Sequence, residues 1–509
     1  MKKYLILLLT SLILDASFAQ DLKRVQKKYY PNPTGLDLQT PIASKKTGYT
    51  SYKEMKKYLN ELQQSNDSIM KLSVIGKTQK GKDILLVKLS DSTTSQSKMR
   101  VMYFARIHGD EPGGTEGLLY FIDKMTKDNS LKELLNKIDF YILPMVNVDG
   151  GEKLTRQTAN GIDLNRDQVR LETPEATAIR KLVNETDPHV CIDFHEYQPL
   201  KSAYSLLSDE IISVPWDVMF LTSGNPNVSS HIRKSIESLF LENAKTKMEV
   251  NDFTSHTYYT PKKTNKGIVM NIGGASPRST SNTFSLNNAF SILTESRGIG
   301  LGRKSIGRRI ENVYLLAESF ANTVYQQDTA LLAALDSAMM QKDPVAVEFV
   351  SKKTAQYPLP FINQIKNKMD TLDLDVSNAM ESTVTLSREL PVKYLILPDQ
   401  KYAIETLNKM GVSVDTLSRE EVFEVQSFEV RDVEKENTSF KTFTPVKVKT
   451  KVRTETKRFP AGTFVIKTDQ KRKRLLAVML EPESSNGFVN YRIIEAIQGK
   501  ELPVFRLMD

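Results

Sequence analysis

The stretch Arg106–Gly114 constrains the fold more than any other part of the chain. It follows the apolar run Val101–Ala105, which predicts a buried strand, and precedes Thr115–Met125, which predicts a helix. His108 and Glu111 therefore lie in a Gly- and Pro-rich turn at the C-terminal end of a strand, where open α/β sheets place their ligands. One imidazole and one carboxylate at this spacing can hold a metal ion that needs a further ligand from elsewhere in the chain.

Apolar runs typical of strands alternate with amphipathic runs typical of helices up to about residue 325. This alternation predicts an α/β fold with a largely parallel or mixed sheet and helices on both faces. The predicted strands are Met70–Ile75, Asp83–Leu89, Val101–Ala105, Phe140–Val146, Val190–Phe194 and Ala289–Thr294. The predicted helices are residues 50–64, Thr115–Met125, Pro174–Asn184 and Ile306–Val324.

The chain of 509 residues is too long for one ordinary domain, and its pattern changes near Gln326. Helical segments are predicted over Thr329–Lys368, and β-type segments from Leu390 onward, the last of them at Leu475–Leu480. We therefore expect three parts: a polar, proline-containing strap over residues 20–47, an α/β domain over residues 48–325, and a helical linker with a smaller, β-rich α+β domain over residues 326–509.

The N-terminus has the layout of an export signal. The positively charged Met1–Lys3 precedes the apolar run Tyr4–Leu14, which is too short to span a bilayer comfortably. Small residues then suit a signal peptidase, so we predict cleavage after Ala19 and a secreted or periplasmic protein with no membrane-spanning segment. The lone cysteine, Cys191, excludes an intrachain disulfide. The net charge of +9 is spread along the chain, so nucleic-acid binding is not predicted.

Other chemically active side chains follow the other predicted strands. His195 and Glu295 each end one of them. Because the carboxyl ends of parallel strands share one edge of a sheet, both side chains should lie close to His108 and Glu111. Two imidazoles and one carboxylate suit zinc and leave a position for water. The sequence therefore predicts one zinc ion per chain, bound by His108, Glu111 and His195.

The remaining polar residues at this edge fit the roles that hydrolysis needs. Zinc lowers the pKa of a water molecule and polarises a substrate carbonyl, so Glu295 is free to take the proton of the water and pass it to the leaving amine. In the loop after Phe140–Val146, Arg156 can stabilise the developing oxyanion, and Arg166 with Asn165 can bind a substrate carboxylate. Each residue alone has a structural explanation, such as an ion pair between Glu295 and a nearby arginine. The joint arrangement is what favours a site.

As a set, the motifs resemble those of the zinc carboxypeptidase A/B-like family, the funnelins, over about residues 48–325. The matching residues are His108 and Glu111 with the Gly-Asp between them, Asn147–Gly150, Arg156, Asn160–Arg166, His195 and Thr294–Glu295. The resemblance implies an eight-stranded, mixed, mostly parallel sheet between helices. It also implies a peptide substrate whose free C-terminal carboxylate is held by Asn165 and Arg166, and it implies that Asp163 orients a histidine ligand, His108.

One feature of that family is missing from its usual place. Its peptidases usually have a mobile tyrosine a couple of dozen residues before the glutamate, whereas Met270–Ala275 contains none, and Tyr258 and Tyr259 lie outside that window. Arg278 adds a positive charge near the same edge. It would either favour an acidic group in the substrate or substitute for the tyrosine, so we include it among the substrate-binding residues.

A basic stripe marks the C-terminal region, where basic residues fall on alternating positions. A strand with this pattern would have one strongly basic face. Such a face is either a solvated edge that prevents aggregation or a docking surface for an anionic polymer of the cell envelope. The residues of the stripe are Lys447, Lys449, Lys451, Arg453 and Lys457.

These observations favour an exported zinc-dependent metallocarboxypeptidase that hydrolyses C-terminal peptide bonds through a metal-activated water. The alternative enzyme is a zinc amidase or deacylase that acts on cell-wall peptides or N-acyl amino acids with the same metal site. A non-catalytic binding protein that keeps the fold is disfavoured, because every residue that the chemistry needs is present. The chain has no Gly-x-Ser-x-Gly elbow, which argues against a serine hydrolase.

Overall fold

The structure is a computed structural model that describes residues 21–94, 97–437, 440 and 442–508. The predicted signal peptide and its cleavage site lie outside these residues. The predicted strap is not extended throughout, because it contains the helix Lys23–Tyr29 and the 3-10 turn Pro41–Ser44. Buried Val25 packs this helix onto the protein, and the neighbouring Asp21 forms a buried ion pair with Arg297, in which Oδ1 accepts from NH2 at 2.8 Å.

An eight-stranded sheet carries the predicted site. Four of its seven neighbouring strand pairs are parallel and three are antiparallel. The predicted α/β class with a mixed, mostly parallel sheet is confirmed. In spatial order the strands are Met70–Lys77, Asp83–Leu89, Ile138–Leu143, Met99–Ala105, Val190–Tyr197, Phe290–Arg297, Val218–Leu221 and Ser255–Thr257.

The central strands of this sheet are buried on both faces. Every residue of Val190–Tyr197 is buried, as are all but one of Met99–Ala105 and of Phe290–Arg297. Strands covered by helices on both faces read as continuous apolar runs, which is why the sequence predicts them. These three parallel strands are neighbours, so their carboxyl ends bring His108, His195 and Glu295 to the same edge.

Helices pack on the sheet and against one another. Ser51 and Glu54 form a capping box at the start of Tyr52–Gln64. The helices that contain Gly117 and Val313 pack closely, since a Cβ at Gly117 would lie 2.3 Å from the side chain of Val313. The other α-helices of the described residues are Gly113–Lys127, Asn129–Lys132, Val148–Lys153, Pro174–Thr186, Ser230–Ser235, Glu242–Glu249, Thr280–Leu286, Ile306–Met340, Lys401–Lys409 and Lys473–Leu480. None of the described helices is long and apolar enough to cross a membrane.

A second sheet of five strands is built on the long hairpin Val345–Asn363 and Lys368–Arg388. The prediction of helix over Thr329–Lys368 is therefore wrong beyond the end of the helix Ile306–Met340. Two prolines in the first strand of the hairpin cannot continue a helix, and its β-branched residues favour a strand. In spatial order the strands are Ile212–Ser213, Val345–Asn363, Lys368–Arg388, Gly267–Ile272 and Tyr259–Thr264.

A third sheet of six strands lies in the C-terminal region, in agreement with the β-rich pattern. Leu475–Leu480, predicted as a strand, belongs instead to the helix Lys473–Leu480. All residues from 475 to 480 are buried, so the sequence offers no polar face from which a period could be read. In spatial order the strands are Asp415–Thr416, Phe464–Lys467, Lys393–Ile396, Val504–Leu507, Glu421–Lys435 and Val446–Phe459.

The basic stripe lies on the strand Val446–Phe459, at the edge of this third sheet. The register places Lys447 opposite Glu434 and Lys451 opposite Glu429. Opposite charges across a strand pair are stabilising, which fits the explanation of the stripe as a charged edge. Contact with an envelope polymer stays a prediction.

The C-terminal sheet packs directly on the first part of the chain. One buried apolar cluster includes Leu182 beside the eight-stranded sheet and Leu407 and Leu476 from the C-terminal region. Asn184 adds a hydrogen bond from its side-chain amide to the carbonyl of Lys409, at 2.9 Å. The C-terminal region therefore has a structural interface with the part of the chain that carries the predicted site.

Candidate active site

The turn that carries His108 is held by a buried arginine. Arg106 has a left-handed backbone with a φ of 57°. Its guanidinium donates to the carbonyl of Gly109 at 3.1 Å and to that of Gly151 at 2.8 Å. At Gly109 a Cβ would come within 2.1 Å of Gly150, so no larger residue fits. Two loops at the carboxyl edge of the sheet are thereby clamped together, and His108 is fixed between them.

Three buried donors converge at this edge. One oxygen of Glu111 lies 2.7 Å from Nδ1 of His108, and the other lies 2.7 Å from Nδ1 of His195. The two Nδ1 atoms are 3.1 Å apart, and the ligand atoms of all three residues lie within 4.8 Å of one another. The three residues predicted as metal ligands are thus positioned to bind one metal ion.

Each histidine is oriented by a carboxylate on its far side. Nε2 of His108 lies 3.0 Å from Asp163, as the resemblance implied, and Nε2 of His195 lies 2.7 Å from Asp193. Sequence reasoning missed Asp193, although a strand directs side chains two residues apart to the same face. The hydroxyl of Thr280 donates to Asp193 at 2.6 Å and steadies it. Such partners fix the ring and raise the basicity of the metal ligand.

The chemistry of the donor set fits zinc. Asp163 and Asp193 can accept the Nε2 proton of the two rings, which leaves both Nδ1 atoms and Glu111 available to one metal ion. Ligands about 2.0–2.1 Å from a tetrahedral zinc ion stand roughly 3.3 Å apart, close to the 3.1 Å between the two nitrogens. Two neutral imidazoles and one carboxylate are a common zinc set with an open fourth position.

Glu295 lies beside the metal donors without joining them. Its strand pairs in parallel with that of His195, and the register puts the two residues side by side. Burial raises the pKa of the Glu295 carboxyl to about 7, and the Glu111 carboxylate adds to this shift. The two histidines and Arg156 act in the opposite direction, as a bound dication would. The result is a carboxyl suited to proton transfer near neutral pH.

Arg156 reaches the metal donors from the loop after the strand Ile138–Leu143. Its Nε and NH2 groups donate to Oδ2 of Asp163 at 3.1 and 2.9 Å. Its NH1 group lies 3.2 Å from Nδ1 of His108 and 3.6 Å from Oε1 of Glu111. A single carboxylate, Asp163, therefore holds both the ring of His108 and the guanidinium of Arg156, and leaves NH1 directed at the donor cluster.

The residues predicted to bind a substrate carboxylate lie on two neighbouring turns. Asn165 and Arg166 belong to a 3-10 turn, and Oδ1 of Asn165 accepts from the backbone N–H of Thr280 at 3.0 Å. The backbone N–H of Gln168 donates to the carbonyl of Arg278 at 3.4 Å, which joins the two turns. Arg166 donates to the carbonyl of Asn165 at 2.7 Å. Among the residues that the structure describes, neither Arg166 nor Arg278 forms an ion pair with a carboxylate.

Tyr258 also lies near the charged residues of the candidate site, and the sequence did not reveal this position. Burial and the Glu295 carboxylate raise the pKa of its phenol, while Arg166 and Arg156 lower it. The neighbouring Tyr259 is structural, because its hydroxyl accepts from Nε1 of Trp216 at 3.2 Å within the core. Sequence position alone could not separate the two tyrosines.

Glu196, the acidic residue after the third donor, is structural. Its Oε1 accepts from Nε of Arg309 at 2.6 Å, and its Oε2 accepts from the backbone N–H of Gly113 at 2.9 Å. At Gly113 a Cβ would lie 2.4 Å from this carboxylate. Glu196 therefore secures the end of the turn that carries His108 and Glu111.

The arrangement agrees with a comparison against known families. A family model described as zinc carboxypeptidase, Peptidase_M14, matches residues 55–301. The matched segment contains all three metal donors as well as Arg156, Arg166 and Glu295. Residues 55–301 are therefore similar to the zinc carboxypeptidase family. Zinc is the metal of this family, in agreement with the donor set described above.

Two fungal relatives are similar over almost the whole chain. Carboxypeptidase 2 of Trichophyton equinum is 24% identical over 503 residues, which cover 94% of this chain and 92% of the relative. Carboxypeptidase 2 of Trichophyton rubrum is 25% identical over 475 residues, which cover 91% of this chain and 87% of the relative. The similarity to these two relatives therefore continues beyond residue 301 into the C-terminal sheets.

Among solved structures, a metallo-carboxypeptidase from Burkholderia cenocepacia is 18% identical to this chain. The match has a TM-score of 0.43 and covers 55% of this chain and 70% of that protein.

Proposed function

We propose that the protein is an exported zinc metallocarboxypeptidase that hydrolyses the last peptide bond of its substrates. The observation that supports this most is the presence of Glu295 beside the three buried metal donors at one edge of the sheet. The match of residues 55–301 to the zinc carboxypeptidase family model also supports it. So does the similarity to two relatives named Carboxypeptidase 2.

Peptide hydrolysis needs a Lewis acid and a proton carrier. A zinc ion held by His108, Glu111 and His195 supplies the first, since it polarises the scissile carbonyl and lowers the pKa of water toward neutrality. Glu295 is the proton carrier: as a carboxylate it takes the proton of the attacking water. It then delivers that proton to the nitrogen of the leaving amine, so the C–N bond breaks without expelling an amide anion.

Arg156 stabilises the charge that develops on the carbonyl oxygen. Its NH1 group points at the metal donors, and its other nitrogens are held by Asp163 at 2.9 and 3.1 Å. A donor that is already oriented costs no reorganisation when the oxyanion forms. The loss of one such donor typically lowers kcat by about 100- to 1,000-fold.

Arg166 and Asn165 make the enzyme an exopeptidase. The guanidinium of Arg166 offers a fork of donors to the terminal carboxylate. Oδ1 of Asn165 is engaged by Thr280, so its amide nitrogen is the group that donates to the substrate. An internal peptide bond would leave the positive charge of Arg166 without a partner, and it would therefore be a poor substrate.

Export is the remaining part of the proposal, and residues 1–19 support it. A basic start, a short apolar run and a small residue at position 19 have the order of a cleavable signal. The N-terminal sequence of the mature protein, recovered from the periplasm or the medium, should begin at Gln20.

A matched pair of peptides tests the exopeptidase reaction. C-terminal amidation of a good substrate should lower kcat/KM by roughly 10- to 150-fold, the equivalent of the 1.5–3 kcal/mol of a charged hydrogen bond. Arg166→Ala should remove this discrimination and keep the zinc. Arg419→Ala is the control, because its side chain is 83% exposed in a loop of the C-terminal region. Equal cleavage of both peptides by the parent protein would contradict the proposal and favour the zinc amidase.

A further inference from the structure

A cavity of about 310 Å³ lies where the turn of Arg166 meets the C-terminal sheet. It lies outside the metal centre but adjoins it, since Asp163 contributes to its wall. Loop residues of the zinc site form one side and aromatic residues of the C-terminal region form the other. The lining residues that matter here are Asp163, Arg166, Arg170, Phe440, Phe443 and Tyr491.

The three aromatic residues form one cluster. The rings of Phe440 and Phe443 are stacked with centroids 4.8 Å apart, and that of Tyr491 lies 5.6 and 4.9 Å from them. This cluster supports two arginines of the zinc-site region. Cζ of Arg278 lies 5.3 Å from the centre of the Phe440 ring, and Cζ of Arg170 lies 4.4 Å from that of Phe443.

Most charges around the cavity already have partners. Nε of Arg170 donates to Glu172 at 2.8 Å, and its NH1 donates to the carbonyl of Tyr491 at 2.8 Å. Asp167 accepts from the hydroxyl of Thr173 at 2.7 Å. The carboxylate of Asp163 is engaged by the zinc-site residues described above. Acidic groups near the cavity are therefore not available to a ligand.

The groups that lack partners are donors. Arg166 and Arg278 form no ion pair with a carboxylate in the described part of the chain, so both guanidinium groups can pair with a ligand. The hydroxyl of Tyr491, whose residue is only 1% exposed, has no acceptor for its hydrogen among the described residues. Burial raises the pKa of this phenol, and the charge and hydrogen bond of Arg278 lower it, which places the guanidinium of Arg278 against this lining residue although Arg278 itself does not line the cavity. Two cations and a phenol with a free hydrogen offer donors that suit anionic oxygen atoms of a ligand.

We propose that this cavity receives the side chain of the last residue of the substrate and selects an acidic one, glutamate or aspartate. The α-carboxylate of the substrate pairs with Arg166. The side-chain carboxylate accepts from Arg278 and from the hydroxyl of Tyr491. The aromatic cluster, which lies in loops of the C-terminal region, thus forms part of the substrate site. This inference rests on the proposed carboxypeptidase function and adds its substrate class.

Peptides that differ only in their last residue test this selection. Glutamate and glutamine have nearly the same size and differ in charge, so we expect kcat/KM to be about tenfold or more higher for the peptide that ends in glutamate. A peptide that ends in lysine should be the poorest of the three, because its ammonium would face the guanidinium of Arg278. This comparison uses the unmodified protein and depends on no variant.

Two variants test which residues cause the preference for a terminal glutamate. Arg278→Gln should bring the glutamate-to-glutamine ratio close to one. Tyr491→Phe removes only the hydroxyl and should lower the ratio in part. Tyr402→Phe is the matched control, because Tyr402 is 44% exposed and lies outside the cavity, and it should leave the ratio unchanged.

The outcomes separate this inference from the proposed function. Cleavage of the glutamate and glutamine peptides at equal rates would overturn the acidic selection and leave the carboxypeptidase reaction standing. An unchanged ratio in both Arg278→Gln and Tyr491→Phe would overturn the role of this cavity. Failure to cleave any peptide with a free C-terminus would overturn the proposed function, and the inference with it.

Discussion

Replacement of Asp163 by asparagine perturbs two parts of the site at once. Oδ1 of Asp163 lies 3.0 Å from Nε2 of His108, and Oδ2 accepts from Arg156 at 3.1 and 2.9 Å. Burial alone would raise the pKa of this carboxyl, but His108 and Arg156 hold it well below the usual range. Asparagine keeps the size, loses the charge and has one oxygen, so it cannot serve both partners.

The expected losses follow from these contacts. A carboxylate behind a metal-binding histidine typically contributes 10- to 100-fold in metal affinity or activity, and an oriented oxyanion donor contributes about 100- to 1,000-fold in kcat. We therefore expect Asp163→Asn to bind zinc about 10- to 100-fold more weakly. With zinc saturating, its kcat should still be at least about 100-fold below that of the parent protein, because Arg156 is no longer anchored.

A chelator competition titration measures the zinc affinity, and initial rates at saturating zinc measure kcat. Asp193→Asn is the matched control, because Asp193 lies 2.7 Å from Nε2 of His195 and holds no arginine. That variant should lose zinc affinity and recover most of its turnover when zinc is added. If Asp163→Asn recovers turnover equally well, the proposed anchoring of Arg156 is wrong. Zinc binding at parental affinity in both variants would contradict the role of the carboxylates.

The other predictions concern the metal and the proton carrier. His195→Ala should purify with little zinc, whereas the parent protein should contain one zinc ion per chain; equal zinc content by elemental analysis would refute the donor set. Glu295→Gln should keep zinc and the fold and lose about 100- to 10,000-fold in turnover, and near-normal turnover would show that another residue takes the proton. Glu295 acts as a carboxylate, and burial raises its pKa to about 7 in the absence of zinc. Bound zinc lowers this pKa, and kcat/KM should fall as the pH drops through the pKa of the zinc-bound protein. The residual activity of Glu295→Gln should lack this acidic limb.

The strands that position the site could be predicted because burial on both faces leaves a plain apolar signal. The sequence predicts a strand over Val190–Phe194, and the observed strand is Val190–Tyr197. The carboxyl end of this strand, which carries His195, is thus predicted to within three residues. The hairpin Val345–Asn363 and Lys368–Arg388 carried no such signal. Its first strand is exposed over much of its length and mixes charged with apolar residues. Its second strand pairs with Gly267–Ile272, which is distant in sequence. Pairing over such distances is a tertiary property that local patterns do not contain.

The candidate site likewise contains residues that local sequence patterns predict and residues that they do not. His108, Glu111 and His195 could be predicted because metal chemistry restricts residue type and strand ends restrict position. Asp193 and Tyr258 could not be assigned, because their roles depend on which atoms face them after folding. The sequence suggested a charge at Arg278 and left its role open between two explanations.

The environment of Arg278 explains why that choice needed the structure. The residues that surround its guanidinium, Phe440 and Tyr491, lie outside the segment 55–301 that matches the zinc carboxypeptidase family. The metal donors and Glu295 lie inside it. In the proposed enzyme, the chemistry of hydrolysis therefore belongs to the segment 55–301, and part of the choice of substrate belongs to loops of the C-terminal region. Substitutions at positions 440 and 491 could then change the preferred terminal residue without displacing a zinc ligand, whereas no change in the third sheet should restore activity lost at Glu295.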